Sequence, residues 1–219
     1  MWCITDITDE YRKRMYRILN LYAKPYDKRF PVVCFDEKSK QILADSRKPI
    51  PMKPGSPEKY DYEYVRNGTC NIFAAVEPKA GKHHIQVTDH RKREDFAKFM
   101  RWLILTRYKN AEKVNIVMDN LNTHFVKSFE ETFSPAIVEK IMNKTTFVYT
   151  PKHASWLNMA EIEINMMSRE CLSRNIGSKK EIVRETSAWC NQNNLDKRKI
   201  HWSFTKYKAD KKFSKHYVS

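Results

Sequence analysis

The sequence has 219 residues, of which 41% are hydrophobic, so it is long enough for one sizeable core and at most about two domains. Lysine and arginine number 41 against 26 acids, which gives a net charge of +15. This excess favours a polyanionic partner, because each phosphate contact releases counterions. The five cysteines are scattered, and no CxxC, GxGxxG or P-loop pattern occurs. These observations argue against a zinc ribbon, a disulfide framework and a nucleotide cofactor.

Hydrophobic periodicity predicts alternating strands and helices along the chain. The predicted elements of the first half are a helix over 8–23, strands over 32–36, roughly 61–66, 69–77 and 82–88, and a helix over 91–108. Those of the second half are strands over 114–118 and 145–149, and helices from about 124, over 134–141, about 157–172 and 178–193. This order predicts an α/β fold, with a mixed five-stranded sheet and helices on both faces.

Two aspartates follow buried strands in this scheme. Asp36 ends the run Val32–Phe35, and Asp119 ends the run 114–118. In open α/β sheets, functional sites form at the carboxyl ends of strands, so the two carboxylates meet if these strands are parallel neighbours. Glu37 is excluded because neighbouring strand residues point to opposite faces. The alternative is that the acids merely form turns or caps.

Carboxylates that are brought together repel one another, and a hard divalent cation with oxygen ligands neutralises them best. Two such ions, about 3.5–4 Å apart, can activate a water and stabilise the leaving oxygen in phosphodiester cleavage. In a basic chain, this pattern favours a metal nuclease. A hydrolase that acts on sugars with a carboxylate pair also fits the acids, but it does not fit a net charge of +15.

Three motifs have a recognisable form and order. They are Val-Val-Cys-Phe-Asp36-Glu37-Lys-Ser39, then Val-Met-Asp119-Asn120-Leu-Asn122-Thr-His124, and then Tyr149-Thr-Pro151-Lys-His153-Ala-Ser155-Trp156-Leu-Asn158-Met-Ala-Glu161. They resemble the catalytic motifs of bacterial insertion-sequence transposases related to the mariner superfamily, which are DDE superfamily endonucleases. The resemblance implies a ribonuclease-H-like fold, a triad of three acids, and two Mg²⁺ or Mn²⁺ ions. It also implies DNA as substrate, cleavage at element ends by an activated water, strand transfer by the 3′-OH, and a homodimer.

The third acid is left open by helix geometry. An apolar stripe runs along the predicted helix at three- and four-residue steps, and Glu161 and Glu163 each lie roughly 80° from its centre, on opposite flanks. Periodicity therefore cannot choose between them. The family pattern places its acid three residues after an asparagine, so Asn158 selects Glu161, and Glu163 remains the fallback.

Further residues are candidates for supporting or DNA-binding roles. The supporting candidates near the acids are Asn120, His124, Lys152, His153 and Asn158. The candidates for DNA contact are Trp156, Arg169, Arg174, Lys206, Lys211 and Lys212. Each has a structural alternative: His124 as a helix-start residue, Lys152 and His153 in a solvated loop, Trp156 in a core, and the lysines on a solvated extension.

The predicted domain organisation has three parts: an N-terminal helix and linker remnant over 1–30, a catalytic domain over 31–195, and a basic C-terminal tail over 196–219. The thirty residues before the first strand are too few for the helix-turn-helix region that family members carry. We therefore expect a truncated copy that binds DNA without sequence preference. The alternative is a non-catalytic DNA-binding relic. With no signal peptide or membrane span in the sequence, the predicted location is the bacterial cytoplasm, with the nucleoid.

Overall fold

Five strands and seven helices form the part of the chain that the computed structural model describes, residues 7–119 and 125–218, without the side chain of Phe125. The strands are β1 (Val32–Asp45), β2 (Tyr64–Glu77), β3 (Lys82–Thr88), β4 (Val114–Met118) and β5 (Thr145–Tyr149). The helices are α1 (Asp9–Ala23), α2 (Arg93–Trp102), α3 (Phe125–Thr132), α4 (Pro135–Lys144), α5 (Met159–Glu170), α6 (Lys179–Asp196) and α7 (Lys206–Phe213). A π-helical turn, Leu103–Arg107, continues α2, and the short 3-10 turn Ser155–Leu157 precedes α5.

The five strands form one mixed sheet in the order β3-β2-β1-β4-β5. The first three strands make an antiparallel meander, whereas β4 pairs in parallel with both β1 and β5. The predicted mixed five-stranded sheet is therefore confirmed, and the first and fourth strands are the parallel neighbours that the two aspartates require. Cys34 on β1 lies opposite Val117 on β4 in this register.

Helices cover both faces of the sheet, because strand side chains alternate between them. On one face, Phe35, Phe73 and Ile116 pack against α2 and its neighbours. On the other face, Cys34 and Val117 pack with residues of α1, α5 and α7. The side chain of Asp36 therefore points to the same face as that of Cys34, which is the face that α5 covers. Within residues 7–119 and 125–218, no helix combines the length and the apolar character needed to cross a bilayer.

Two predicted strand boundaries were wrong. The pair of strands expected at 61–66 and 69–77 is the single strand β2, and β1 continues to Asp45 instead of ending at Asp36. The Asn67-Gly68 step lies inside β2, where Gly68 has a φ of 107°. A register shift between Gln41 and Leu43 on β1 lies opposite this step, so the ladder bends there without ending.

The C-terminal segment is folded against the rest of the protein. In α7, Ala209 and Phe213 are buried and pack in the same cluster as α1. The segment that joins α6 to α7 passes over the turn between β2 and β3. Gly81 in that turn has a φ of 65°, and a Cβ there would lie 2.9 Å from the carbonyl carbon of Arg198 and closer still to the backbone of Lys197. Glycine at this position therefore allows the close approach.

Candidate active site

Asp36 lies within β1, two residues beyond its parallel pairing with β4, and Asp119 directly follows β4. Extending the register from the pair Cys34 and Val117 by two residues brings Asp36 level with Asp119. The strand period of two places both side chains on the face covered by α5. The backbone N–H of Glu37 donates to Asp36 Oδ1 over 2.8 Å, and the hydroxyl of the buried Thr150 donates to Asp119 Oδ1 over 3.2 Å.

Glu161 reaches the same edge from the first turn of α5. The helix begins after Asn158, whose side-chain oxygen accepts a hydrogen bond from the N–H of Ala160 over 3.2 Å. The amide nitrogen of Asn158 donates to the carbonyl oxygen of Phe35 over 2.8 Å. The fully buried Asn158 therefore joins the start of α5 to the strand residue immediately before Asp36. This cap determines where Glu161 enters the site.

The three carboxylates affect one another electrostatically. Burial raises the pKa of Asp36 to about 7, and the nearby charges of Asp119 and Glu161 add to this rise. Burial likewise raises the pKa of Asp119, with a further contribution from Glu161, against the hydrogen bond from Thr150. Glu161 Oε2 is buried and has no hydrogen-bond partner among residues 7–119 and 125–218. The acids are therefore close enough to repel one another in partly desolvated surroundings.

These acids do not form a closed cage for one ion. Within residues 7–119 and 125–218, no three His, Cys, Asp or Glu side chains are arranged as a ready-made metal site. The donors present are nevertheless carboxylate oxygens, which are the ligands that hard divalent cations prefer. The buried Oε2 of Glu161, for which the described part of the chain supplies no hydrogen bond, is suited to a cation. The donor set therefore fits Mg²⁺ or Mn²⁺ in chemistry.

Removing the side chain of Asn158 is expected to destabilise the protein. Asn158→Ala leaves the buried carbonyl of Phe35 without its donor and α5 without its cap, so the free energy of unfolding should fall by about 1–3 kcal/mol. Urea unfolding measures this loss. Ser178→Ala is the matched control, since Ser178 caps α6 on the surface through a 3.2 Å bond. An equal loss in the two variants would contradict the structural role given to Asn158.

Glu163, the fallback third acid, lies in a different environment. Its Oε2 accepts a 2.9 Å hydrogen bond from His83 Nε2 and a 2.6 Å bond from Arg198 Nη2. Although burial acts to raise the pKa of Glu163, the bonds from His83 and Arg198 lower it overall. Glu163 is thus neutralised by side chains of this chain, whereas Glu161 faces the two aspartates. The contrast favours Glu161 as the third acid.

The supporting candidates divide into three groups. Asn120 and His124 lie outside the described residues. Lys152 and His153 are exposed in the loop after β5, and His153 has a φ of 61°, an uncommon backbone conformation for a residue with a side chain. Asn158 is the buried helix cap, so its contribution is to position α5.

The candidates for DNA contact differ in how free their side chains are. Trp156 keeps 37% of its surface exposed, while its ring packs edge-to-face on Phe204 with centroids 5.2 Å apart. Arg169 is exposed, but Arg174 is paired with Glu181 at 3.0 Å. The three lysines lie on α7 and are exposed. Lys206 lies 4.6 Å from the ring centroid of Tyr16, and Lys212 lies 5.6 Å from that of Phe213. Arg169 and Lys211 are therefore more available for phosphate than Arg174, Lys206 or Lys212.

Three residues that contact the acids or their helix were not predicted from the sequence. Thr150 directly follows β5, so a buried hydroxyl at the end of a strand beside Asp119 was a usable signal. His83 and Arg198 contact Glu163 from 80 and 35 residues away in sequence. Such long separations leave no local pattern, so only the folded structure reveals these two contacts.

Known proteins resemble this chain in both sequence and fold. The family model described as DDE superfamily endonuclease matches residues 31–183, which is most of the chain and includes all three acids. No curated protein sequence matches the chain. Among solved structures, the chain is similar to the Mos1 mariner paired-end complex with Mn, at 12% identity and a TM-score of 0.57, over 99% of this chain and 64% of that one.

Two further solved structures are similar to this chain in fold. The Mos1 strand transfer complex is similar at 11% identity and a TM-score of 0.54, over 92% of this chain and 66% of that one. The Mos1 paired-end complex with Mg is similar at 12% identity and a TM-score of 0.55, over 100% and 66%. The chain thus spans less than two thirds of the first matched chain. These likenesses establish the ribonuclease-H-like fold, and the family match establishes that the chain belongs to the DDE superfamily endonuclease family.

Proposed function

We propose that this chain is a transposase-type catalytic core, which cuts DNA strands at element ends and joins the freed 3′-OH to a target. The observation that carries the proposal is the meeting of Asp36, Asp119 and Glu161 at one edge of the sheet. The charges of Asp119 and Glu161 help to raise the pKa of Asp36, and the charge of Glu161 helps to raise the pKa of Asp119. Such crowding of carboxylates is unfavourable unless a cation compensates it. The net charge of +15 supports a DNA substrate.

The three acids would hold the cations, two ions of Mg²⁺ or Mn²⁺. Two of the similar solved complexes have Mn or Mg in their names. When bound, such ions supply an activated water and stabilise the leaving oxygen of a phosphodiester. Asp36 is carried by β1 and Asp119 by the residue that follows β4, whereas Glu161 is carried by the first turn of α5. Thr150 orients one oxygen of Asp119.

Binding of the DNA strand would rest on exposed basic and aromatic side chains. Arg169, Lys211 and Lys212 have exposed side chains suited to phosphate contacts, and the exposed part of Trp156 is suited to stacking on a base. Phosphate contacts of this kind carry no sequence information. We therefore expect comparable affinity for element ends and for random DNA from this chain alone, with a steep dependence on salt.

Nicking of supercoiled plasmid tests the proposal. The chain should convert supercoiled DNA to open circles with Mn²⁺ or Mg²⁺ and lose this activity in chelator. Asp119→Asn should bind DNA with unchanged salt dependence and nick at least about a hundredfold more slowly, as expected when a charge-stabilising group is lost. Glu139→Gln, which changes an exposed acid on α4, is the control. DNA binding without nicking in the unchanged chain would instead support the non-catalytic relic.

The oligomeric state and the cellular location of the protein are also proposals. A homodimer is expected because the solved relatives are paired-end complexes, and sedimentation with and without DNA measures it. Location in the bacterial cytoplasm with the nucleoid is expected from the substrate. Imaging of a fluorescent fusion tests this, and a membrane or extracellular signal would refute it.

A further inference from the structure

A network of charged side chains joins the flank of α5 that faces away from the acids to the segment that follows α6. Arg198 lies in that segment, and its Nη2 bonds Glu163 over 2.6 Å. Its Nη1 lies 3.6 Å from Glu170 Oε1, two helical turns further along α5. The guanidinium also lies 5.2 Å from the ring centroid of Trp189 on α6. Arg198 therefore connects two points of α5 with its neighbouring helix.

The partners of this network are themselves held. His83 on β3 bonds the same oxygen of Glu163 over 2.9 Å, and only 2% of the side-chain surface of His83 is exposed. Trp189 Nε1 donates to Glu170 Oε2 over 2.6 Å. Arg198 reaches Glu163 because the backbone of Lys197 and Arg198 passes close over Gly81. A Cβ at position 81 would collide with that backbone. The pair of Arg198 and Glu163 is thus held by residues of the sheet, of α5 and α6, and by the turn that contains Gly81.

We infer that Arg198 is a positioning residue: by holding Glu163, it fixes the rotation of α5 and therefore the place of Glu161 in the acidic site. The inference rests on the proposed function, because it takes Glu161 to be the third acid. Glu161 and Glu163 lie two residues apart on one helix, so a rotation that frees one carboxylate displaces the other. Arg198 lies beyond residues 31–183, so the C-terminal segment would serve the site from outside the family match.

The physical basis is the cost of breaking a partly buried ion pair. The side chain of Glu163 is 5% exposed and that of Arg198 is 27% exposed. Removing the guanidinium leaves a desolvated carboxylate with His83 alone, which favours a helix rotation that brings Glu163 towards water. Metal affinity should respond, because residues that orient metal ligands typically change affinity by roughly 10–100-fold when they are lost.

Titration with Mn²⁺, followed by electron paramagnetic resonance, tests the inference in the full chain. Arg198→Met should weaken Mn²⁺ binding by about 10–100-fold, and nicking should recover at saturating Mn²⁺. Arg198→Lys should lose less, because lysine keeps the charge but cannot bridge two carboxylates with a planar fork. Gly81→Ala should weaken binding in the same direction, since the segment carrying Arg198 must move. If Arg198 had a merely structural role, its loss would lower the stability of the protein. It would not weaken Mn²⁺ binding while leaving the nicking rate at saturating Mn²⁺ unchanged.

Arg14→Met is the matched control, because Arg14 also forms a 2.6 Å pair, with the exposed Glu10 on α1. Its Mn²⁺ affinity should equal that of the unchanged chain. Hydrogen exchange over residues 159–163 in the metal-free protein gives a second readout and should speed up in Arg198→Met but not in Arg14→Met. Unchanged Mn²⁺ affinity and unchanged exchange in Arg198→Met would overturn the inference. If the unchanged chain binds no Mn²⁺, the proposed metal site fails, and the exchange measurement alone decides the role of Arg198.

Discussion

Asp36→Asn is expected to stabilise the metal-free protein at pH 8 and, in the same protein, to abolish nicking. The folded state raises the pKa of Asp36 from its ordinary value near 4 to about 7. The folded state therefore holds a proton more tightly than the unfolded state. The stability that this proton contributes is fully present below about pH 4 and is lost as the pH rises through about 7.

Thermal melting in chelator measures this effect. The unchanged chain should melt at a lower temperature at pH 8 than at pH 5, and Asp36→Asn should remove most of the difference. One pKa unit corresponds to roughly 1.4 kcal/mol, so the gain at pH 8 amounts to a few kcal/mol. Each kcal/mol corresponds to roughly 2–4 °C in a chain of this size. Saturating Mn²⁺ should raise the melting temperature of the unchanged chain and not that of the variant.

Glu139→Gln is the control for this experiment, because it removes an exposed acid and should change neither melting nor nicking. A variant Asp36→Asn that melts below the unchanged chain at pH 8 would contradict the burial and charge crowding described for this residue. A variant that still nicks at the normal rate would remove Asp36 from the catalytic set, whatever its stability.

Glu161→Gln is expected to lose nicking activity and keep its stability, whereas Glu163→Gln is expected to lose stability. Glu161→Gln should lose nicking by at least about a hundredfold at any Mn²⁺ concentration, because a ligand to the charged site is gone. Its stability should hold or rise, since one member of a repelling set is removed. Glu163→Gln should lose about 1–3 kcal/mol of stability, because Arg198 and His83 lose the charge that they contact.

Nicking by Glu163→Gln should recover at high Mn²⁺. Rates measured across a Mn²⁺ titration, together with urea unfolding, separate the two variants. The opposite result, with Glu161→Gln active at high Mn²⁺ and Glu163→Gln inactive throughout, would make Glu163 the third acid.

The sequence predicted the parts of this fold that have short and sharply bounded patterns. The strands at 114–118 and 145–149 are observed with the predicted ends, because each is a short β-rich run bounded by turn residues. The full length of β1 was missed, because beyond Asp36 its side chains are mostly half-exposed or exposed and carry little hydrophobic signal. The same polarity led to two predicted strands where β2 is continuous.

The candidate site was predictable as far as local motifs reach. Asp119 could be placed at a strand end, whereas Asp36 was expected at one and lies within β1. Adjacent parallel strands were stated as the condition for the meeting of the two acids. Hydrophobic periodicity could not decide between Glu161 and Glu163. It gives the direction in which each side chain leaves the helix, but not which residues of other elements lie there. Those partners, His83 and Arg198, lie on other elements. The catalytic roles of the three acids stay predictions until the variants are measured.

The parallel pairing of β1 with β4 has a consequence for how the protein folds. The antiparallel meander β1-β2-β3 joins neighbouring stretches of chain, whereas Asp36 and Asp119 meet only after the whole intervening segment is enclosed. Contacts between distant parts of a chain carry a loop-closure entropy and form slowly. An intermediate that contains only the meander would therefore present Asp36 without its neighbour. The mutual repulsion of the acids would then arise late in folding, and a destabilising charge at this site should speed unfolding more than it slows folding.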